Sequence, residues 1–325
     1  MKHIFLIALF FTIWGITYNV IRFWPDGKLH IYYCDVGQGD GMYLKFPTGA
    51  DMVIDGGPDN GKLLECLSHH MPLWDRQIDL VMMTHPQLDH AGGFPDLFNR
   101  YNVKLVVAPP VGNDSDNFRE ALKIIQEKKI PLKNLYSGDV IRFGEAKLAI
   151  IWPEKSWMMA QIDADCQLVE GCILGDSKGK KTAILKTTTG AVLGAQTSTD
   201  LNHASMITHL SYGNFDALFT ADTTQETDIM IANAGITVAS NASDPIEVLK
   251  VPHHGSKTGM AEALLHQINP RDAVISVGKK NRYGHPNPQV VSHLEEHGIR
   301  IHRTDQEGTI EVVSDGKSWS IENGK

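Results

Sequence analysis

The segment Thr84-His85-Pro86-Gln87-Leu88-Asp89-His90-Ala91-Gly92-Gly93 constrains this 325-residue chain more than any other stretch. It follows an apolar run at 78–83, short and bounded by polar residues, which reads as a buried strand. A strand that ends in a loop and then enters a helix turns several side chains toward one point. His85 leaves the strand end, and Asp89 and His90 stand where the next helix begins. Imidazole and carboxylate together suit zinc or manganese, and an open coordination position makes such a site hydrolytic.

The surrounding pattern places this segment in an α/β protein. Residues 28–34 alternate as a strand, Asp35-Val36-Gly37-Gln38-Gly39-Asp40 is a glycine turn, and 42–46 and 51–54 form a hairpin around Pro47-Thr48-Gly49. A helix is expected at 61–69, a strand at 103–108, and a helix at 115–128 with Phe118, Leu122 and Ile125 on one face. Residues 138–143 and 147–152 form a second hairpin. In the second half, strands at 205–211 and 217–219 lead to Thr220-Ala221-Asp222, and a strand at 246–251 leads to Pro252-His253-His254-Gly255-Ser256. Helices at 225–234, 260–268 and 290–297, strands at 273–277, 300–303 and 309–313, and a His/Pro/Gly loop at 281–288 complete the pattern. Strands alternate with helices, yet hairpins occur in both halves. That combination predicts two mixed β-sheets with helices on the outer faces, a four-layer sandwich, and not a doubly wound parallel sheet. Residues 154–201 are the least regular and read either as an insertion over the mouth of the site or as a plain solvent loop.

An 18-residue apolar run at 4–21, preceded by Lys2 and followed by Phe23 and Trp24, would span ~27 Å as a helix. That approaches the ~30 Å of a bilayer core, so residues 1–25 are expected to be a membrane anchor or signal segment, and 28–325 the hydrolase domain. No A-x-A-like cleavage site follows the run, which favours an uncleaved anchor. The flanking charges barely set an orientation; by analogy with signal anchors the domain is expected on the periplasmic or extracellular side. Of the four cysteines, Cys166 and Cys172 are close enough in sequence to pair if that side is oxidising, or to remain two free thiols. The net charge of −8, with no Lys/Arg cluster beyond short pairs, gives no electrostatic argument for a long nucleic-acid surface. It leaves a nuclease open, because metal ions supply local positive charge.

Eight segments in order carry a resemblance: 35–40 (DVGQGD), 54–57 (IDGG), 84–93 (THPQLDHAGG), 202–205 (NHAS), 220–222 (TAD), 250–256 (KVPHHGS), 281–288 (NRYGHPNP) and 303–310 (RTDQEGTI). With them the chain resembles the hydrolase domain of ComEC-type competence proteins and related stand-alone metallo-β-lactamase-fold phosphoesterases, from about residue 29 to 312. One position departs from the family's H-x-H-x-D-H spacing, with Gln87 where the second His usually stands. The channel-forming helices of the competence proteins are absent, so DNA uptake does not follow.

The resemblance implies an αββα metallo-β-lactamase fold and a centre for two divalent ions, zinc or manganese. His85 would bind the first ion, with His203 as its remaining His and His209 a rival. Asp89, His90 and His254 would bind the second, and Asp222 would bridge the two. Two such ions hold a hydroxide and steady both the attacking and the leaving oxygens of a phosphoester. Asp89 or Asp222 would orient the metal-bound hydroxide. His253 is assigned to phosphate contact or leaving-group protonation, His285 to a similar role, and Asn281 and Tyr283 to phosphate hydrogen bonding. Gln87, a poorer ligand, implies a weakened first site. Asp35, Gln38 and Asp40 read as turn residues and supports behind the ligands. His69, His70, His293, His297 and His302 read as ordinary surface or core histidines, and Trp152 and Trp157 as core. The expected function is metal-dependent hydrolysis of a phosphodiester, a nucleotide or a nucleic acid. The rival readings are a catalytically silent envelope binding protein that keeps the fold, and an amide hydrolase such as a β-lactamase.

Overall fold

The structure is a computed structural model that describes residues 2–324, except 163–173, 176–180, 183–184, 187–190, 198 and 234–244. Alternation decides the layering. In the strand Leu29–Tyr33, Ile31 and Tyr33 point into one apolar layer, while Tyr32 and the following Cys34 point into another. This is the period-two pattern of a sheet buried on both faces.

Among the described residues two large mixed sheets face each other across the layer that holds Ile31, Tyr33, Leu44, Leu148, Phe219 and Val248. The first runs Trp319–Asn323, Ile310–Ser314, Leu29–Tyr33, Gly41–Lys45, Asp51–Gly56, Leu80–Met82, Val106–Val107, Leu132–Lys133. Its last four strands are parallel to one another. The second runs Arg300–Arg303, Asp272–Ile275, Val248–Lys250, Phe215–Phe219, Ile207–Tyr212, Ala146–Trp152, Val140–Phe143, and its first four are parallel. The helices Lys62–His70, Phe94–Arg100 and Asp116–Glu127 cover the first sheet through Leu67, Phe94, Phe98, Phe118 and Ile125. The helices Gln225–Asn233, Glu262–Ile268 and Pro288–Glu296 cover the second through Ile231, Leu264 and Leu294. The fold is the expected four-layer α/β sandwich.

Several local expectations are corrected. The strand expected at 78–83 is split: Gln77–Ile78 pairs with Asn102–Val103, and Leu80–Met82 joins the large sheet. Asp79 makes the break by exchanging hydrogen bonds with Asp51, whose carboxylate accepts from the Asp79 N–H while the Asp79 carboxylate accepts from the Asp51 N–H. The strand expected at 103–108 is divided in the same way. The chain also adds an edge strand, Trp319–Asn323, beyond the closing strand read from the sequence. Cys34 and Cys66 form a disulfide, a pairing that the sequence reading did not consider. Cys166 and Cys172 lie outside the described residues. The described flanks of 154–201 pack into the body: Met158 in the helix Lys155–Gln161, Leu193 and Ala195 are buried.

Parallel strands leave their C-terminal ends on one rim, and the loops after them gather there. The strands Leu80–Met82, Phe215–Phe219, Val248–Lys250 and Asp272–Ile275 end beneath His85, Asp222, His254 and the 278–287 loop respectively.

Candidate metal centre

The rim holds a group in which one ligand atom each from Asp89, His90, Asp222 and His254 lies within 4.8 Å of the others. His90 and His254 are fully enclosed, as is Asp222, and Asp89 keeps about a third of its side chain open to solvent. The Asp222 carboxylate stands between two imidazoles, with Oδ1 3.2 Å from His90 Nε2 and Oδ2 3.4 Å from His254 Nε2. Asp89 Oδ2 is 3.5 Å from the same His254 nitrogen.

The other nitrogen of each ring fixes its tautomer. His90 Nδ1 donates to Asp55 Oδ2 at 2.8 Å, and His254 Nδ1 donates to the Ser276 carbonyl at 2.9 Å. The Thr84 hydroxyl gives its proton to Asp55 Oδ2 at 2.6 Å, so at 3.2 Å it accepts from His85 Nδ1. All three imidazoles are thus held by Nδ1 and present Nε2 to the rim, the arrangement of metal-bound histidines with their orienting partners. Nε2 of His85, His90 and His254 and both Asp222 oxygens are buried without a hydrogen-bond partner. Buried polar atoms are rarely left so. A divalent cation held by Asp89, His90, Asp222 and His254 would satisfy the Nε2 atoms of His90 and His254 together with Asp222, and this donor set fits one.

Charge and burial act in opposite directions here. Burial alone would raise Asp222, but His254 and His90 beside it hold its carboxyl well below the usual carboxylate range. Burial works against charging His254, yet Asp222 and Asp40 outweigh it and push the imidazole up to about 10. For His85 burial and the neighbouring His90 outweigh the carboxylates of Asp222, Asp89 and Asp40 and push it down to about 3, leaving Nε2 an uncharged lone pair.

Backbone strain marks the same rim. Among the described residues six non-glycine positions have positive φ, and Asp55, Ala221, His253 and His254 are four of them. Such conformations cost energy and persist where surrounding structure holds them. Gly39, at φ +143°, makes a close approach possible: a Cβ there would meet the Asp89 carbonyl at 2.1 Å. The loop 35–40 therefore lies directly on the Asp89 backbone, with the Asp40 N–H donating to the same carbonyl at 3.1 Å. Gly255 does the same between loops, since a Cβ would meet Pro286 Cβ at 2.7 Å.

The remaining expected site residues divide. His253 Nε2 is 3.8 Å from Asp222 Oδ2, and its ring centroid is 5.7 Å from that of His285. The His285 imidazole and the Tyr283 phenol ring stack at 5.8 Å, with the Arg282 guanidinium over the exposed Tyr283 ring. Asn281 is occupied within its own loop: its amide donates to the carbonyls of Gly278 and His285 and its oxygen accepts from the His285 N–H. It supports His285. His203 stands apart from the four-residue group, its Nε2 3.4 Å from Glu226. His209 is taken by Asp216 at 2.7 Å. Gln87 begins the short helix Leu88–Ala91, and its carbonyl accepts from the His90 and Ala91 N–H groups. Beside Asp89 opens a pocket of ≈ 350 Å³ lined by Gln38, Leu88, Lys280, Arg282 and Tyr283.

Three buried residues hold this centre: Asp40, expected as a support behind the ligands, and Asp55 and Lys250, for which the sequence reading stated no role. Asp55 accepts from the Thr84 N–H, the Thr84 hydroxyl and His90. Asp40 lies 3.5 Å from His254 Nδ1 and forms an ion pair with the fully enclosed Lys250, whose Nζ also donates to the Ala221 carbonyl. The available signal was an acid flanked by glycine in 35–40 and 54–57, and a lysine ending an otherwise apolar strand.

A family model described as the metallo-beta-lactamase superfamily matches residues 35–279. ComE operon protein 3 of Bacillus subtilis (strain 168) is 25% identical over 296 residues, covering 85% of this chain and 32% of the relative. Competence protein ComA of Neisseria gonorrhoeae is 38% identical over 65 residues, 20% of this chain and 9% of the relative. The chain therefore spans about a third or less of these relatives. Among solved structures, the metallo-beta-lactamase fold protein YhfI from Bacillus subtilis aligns with a TM-score of 0.47 at 9% identity, covering 88% of this chain and 100% of that one.

Proposed function

The chain belongs to the metallo-β-lactamase superfamily, and from that premise we propose that it is a metal-dependent hydrolase of phosphoesters. The observation that carries this reading is the convergence of unpartnered Nε2 and carboxylate oxygens from His90, His254 and Asp222 beside a pocket flanked by Lys280 and Arg282. A divalent ion, zinc or manganese, held by Asp89, His90, Asp222 and His254 would lower the pKa of a water and polarise a phosphoryl oxygen. Lys280 and Arg282 attract the anionic substrate to the pocket mouth, and Tyr283 offers an exposed ring for a planar leaving group. His253 and His285 stand together over Asp222 and are the groups we assign to contacting the phosphoryl oxygens and protonating the leaving oxygen. Asp89, the partly open member of the set, orients the attacking water. The second ion would be held by Asp89, His90, Asp222 and His254; for the first, His85 offers a buried Nε2 while His203 lies against Glu226 and Gln87 is a poorer ligand than imidazole, so the first ion would be the weaker one.

We place this domain outside the cytoplasm on a membrane anchor. The stretch His3–Arg22 is long and apolar enough to cross a membrane, and its apolar window is not buried against the rest of the protein. The Cys34–Cys66 disulfide belongs to an oxidising compartment. Residues 154–201 are an insertion in this domain, joined to it through Leu193 and Ala195.

The test uses the full chain in detergent, stripped of metal, reloaded with Mn²⁺ or Zn²⁺, and assayed on bis-(p-nitrophenyl) phosphate and on nitrocefin. Metal-dependent phosphodiester cleavage that disappears in Asp222→Asn supports the reading. Nitrocefin turnover alone would transfer the activity to amide bonds. A chain that binds no metal and turns over neither substrate would leave a binding protein.

A further inference from the structure

A second cluster of metal-capable side chains lies on the outer helices, away from the rim. Glu262 and His266 are one turn apart on the helix Glu262–Ile268, and His293 and His297 are one turn apart at the end of the helix Pro288–Glu296. The two pairs face each other. Glu262 Oε1 is 3.0 Å from His266 Nε2 and 3.6 Å from His297 Nε2, while Oε2 is 2.8 Å from His293 Nε2. We propose that Glu262, His266 and His297 bind a zinc-like divalent cation, with His293 holding the second carboxylate oxygen, and that this ion clasps the two helices.

Three observations carry the assignment. Ligands on a tetrahedral zinc with bonds of about 2.0–2.1 Å sit about 3.3 Å apart, and the ligand atoms of Glu262, His266 and His297 already lie at such spacing or within 4.8 Å of one another. His297 Nδ1 donates to the His293 carbonyl at 2.9 Å, which leaves Nε2 as a bare lone pair aimed at the Glu262 carboxylate. Two acceptors facing each other need a cation or a proton between them. The rings of His266 and His297 are 5.2 Å apart, so a proton on each would place two positive charges side by side, whereas one divalent ion serves both.

The position has a consequence for the rim. The helix Glu262–Ile268 follows the loop carrying His253 and His254, and the helix Pro288–Glu296 follows the loop carrying His285. These loops touch where the Asn287 N–H donates to the Gly255 carbonyl at 2.8 Å. An ion joining the helices behind them would fix their spacing.

The full chain in detergent is dialysed against micromolar free Zn²⁺, and zinc per chain is measured by mass spectrometry. Four forms are compared: wild type, His266→Ala/His297→Ala, Asp222→Asn, and all three substitutions together. The expected result is one zinc fewer per chain when the two outer histidines are removed, in either background, and a zinc-dependent rise in Tm that Asp222→Asn retains and the triple variant loses. Equal zinc with and without His266 and His297 would overturn the proposal. If Asp222→Asn does not fold, the wild-type pair decides, since His266 is exposed and His297 half-buried and neither belongs to the apolar core.

Discussion

Lys250 and Asp40 form an ion pair sealed from solvent directly behind His90 and His254. Lys250 comes from the strand Val248–Lys250 of one sheet and Asp40 from the glycine loop that follows the first strand of the other. The pair therefore joins the two halves of the fold at the floor of the metal centre. A buried pair is a weak source of net stability, but removing one partner leaves the other charged and unsolvated. Lys250→Met is expected to destabilise the chain by roughly 3–5 kcal/mol. Lys250→Met with Asp40→Asn should recover much of that loss. Urea unfolding of the two variants checks it, and a double variant no better than the single one would show that the pair is not the source of the loss.

Asp55 is not itself an expected ligand, yet it holds the candidate ligand His90 by Nδ1 and Thr84 by two hydrogen bonds. Removing such an orienting carboxylate from a metal-bound histidine typically weakens the ion by about 10–100-fold. Asp55→Ala should therefore weaken metal binding by about that factor, measured by competition with a fluorescent chelator. Unchanged affinity would mean that His90 is oriented by its other neighbours.

Arg282 lies over the Tyr283 ring at the mouth of the pocket and donates to its hydroxyl, and among the described residues no hydrogen bond ties it to the candidate metal ligands. A group that only attracts and positions an anion acts equally on substrate and transition state. Arg282→Ala should raise KM for a phosphodiester by about tenfold with kcat little changed, and the effect should shrink at high salt. A loss confined to kcat would give Arg282 a part in the chemistry.

The Cys34–Cys66 bond ties the end of the first strand to the helix Lys62–His70, immediately before the loop that carries Asp40. It closes a loop of about the size for which chain entropy predicts roughly 3–4 kcal/mol. Cys34→Ala/Cys66→Ala should lower Tm by several degrees, and a reductant should lower the wild type equally. A reductant without effect on the wild type would mean the bond is not formed in the isolated protein.

The sequence made the strand ends legible because the chemistry sits there. His85, Asp89, His90, Asp222 and His254 all follow short apolar runs, and a run that stops at a polar residue is visible without a structure. What it hid were contacts across the fold. Asp79 and Asp51, 28 residues apart, break an apolar run that looks continuous. Cys34 and Cys66 are brought together by helix packing on a sheet face, which spacing along the chain does not report. Asp40 and Lys250 are charged residues that look like turn and surface residues until the two sheets meet. Glu262 and His297 become neighbours only because their helices lie side by side on the second sheet. Local pattern gave the elements and the candidate ligands at their ends; long-range pairing gave their supports.

Stability should vary with pH in a way traceable to Asp228. Burial pushes its carboxyl up to about 7, opposed only by the hydrogen bond it accepts from the Ala261 N–H at 2.9 Å. The folded chain then binds a proton there that the unfolded chain releases near the ordinary range of about 4. Between these values the folded state holds more protons, so this contribution to stability is full below about pH 4 and is lost as pH rises toward 7. Asn at this position keeps an acceptor for Ala261 and never charges. Asp228→Asn should therefore melt with the wild type near pH 4 and progressively above it as pH rises to 8, read by circular dichroism across that range. A difference that stays flat, or that favours the wild type as pH rises, would show that Asp228 is charged in the folded chain and compensated by a neighbour.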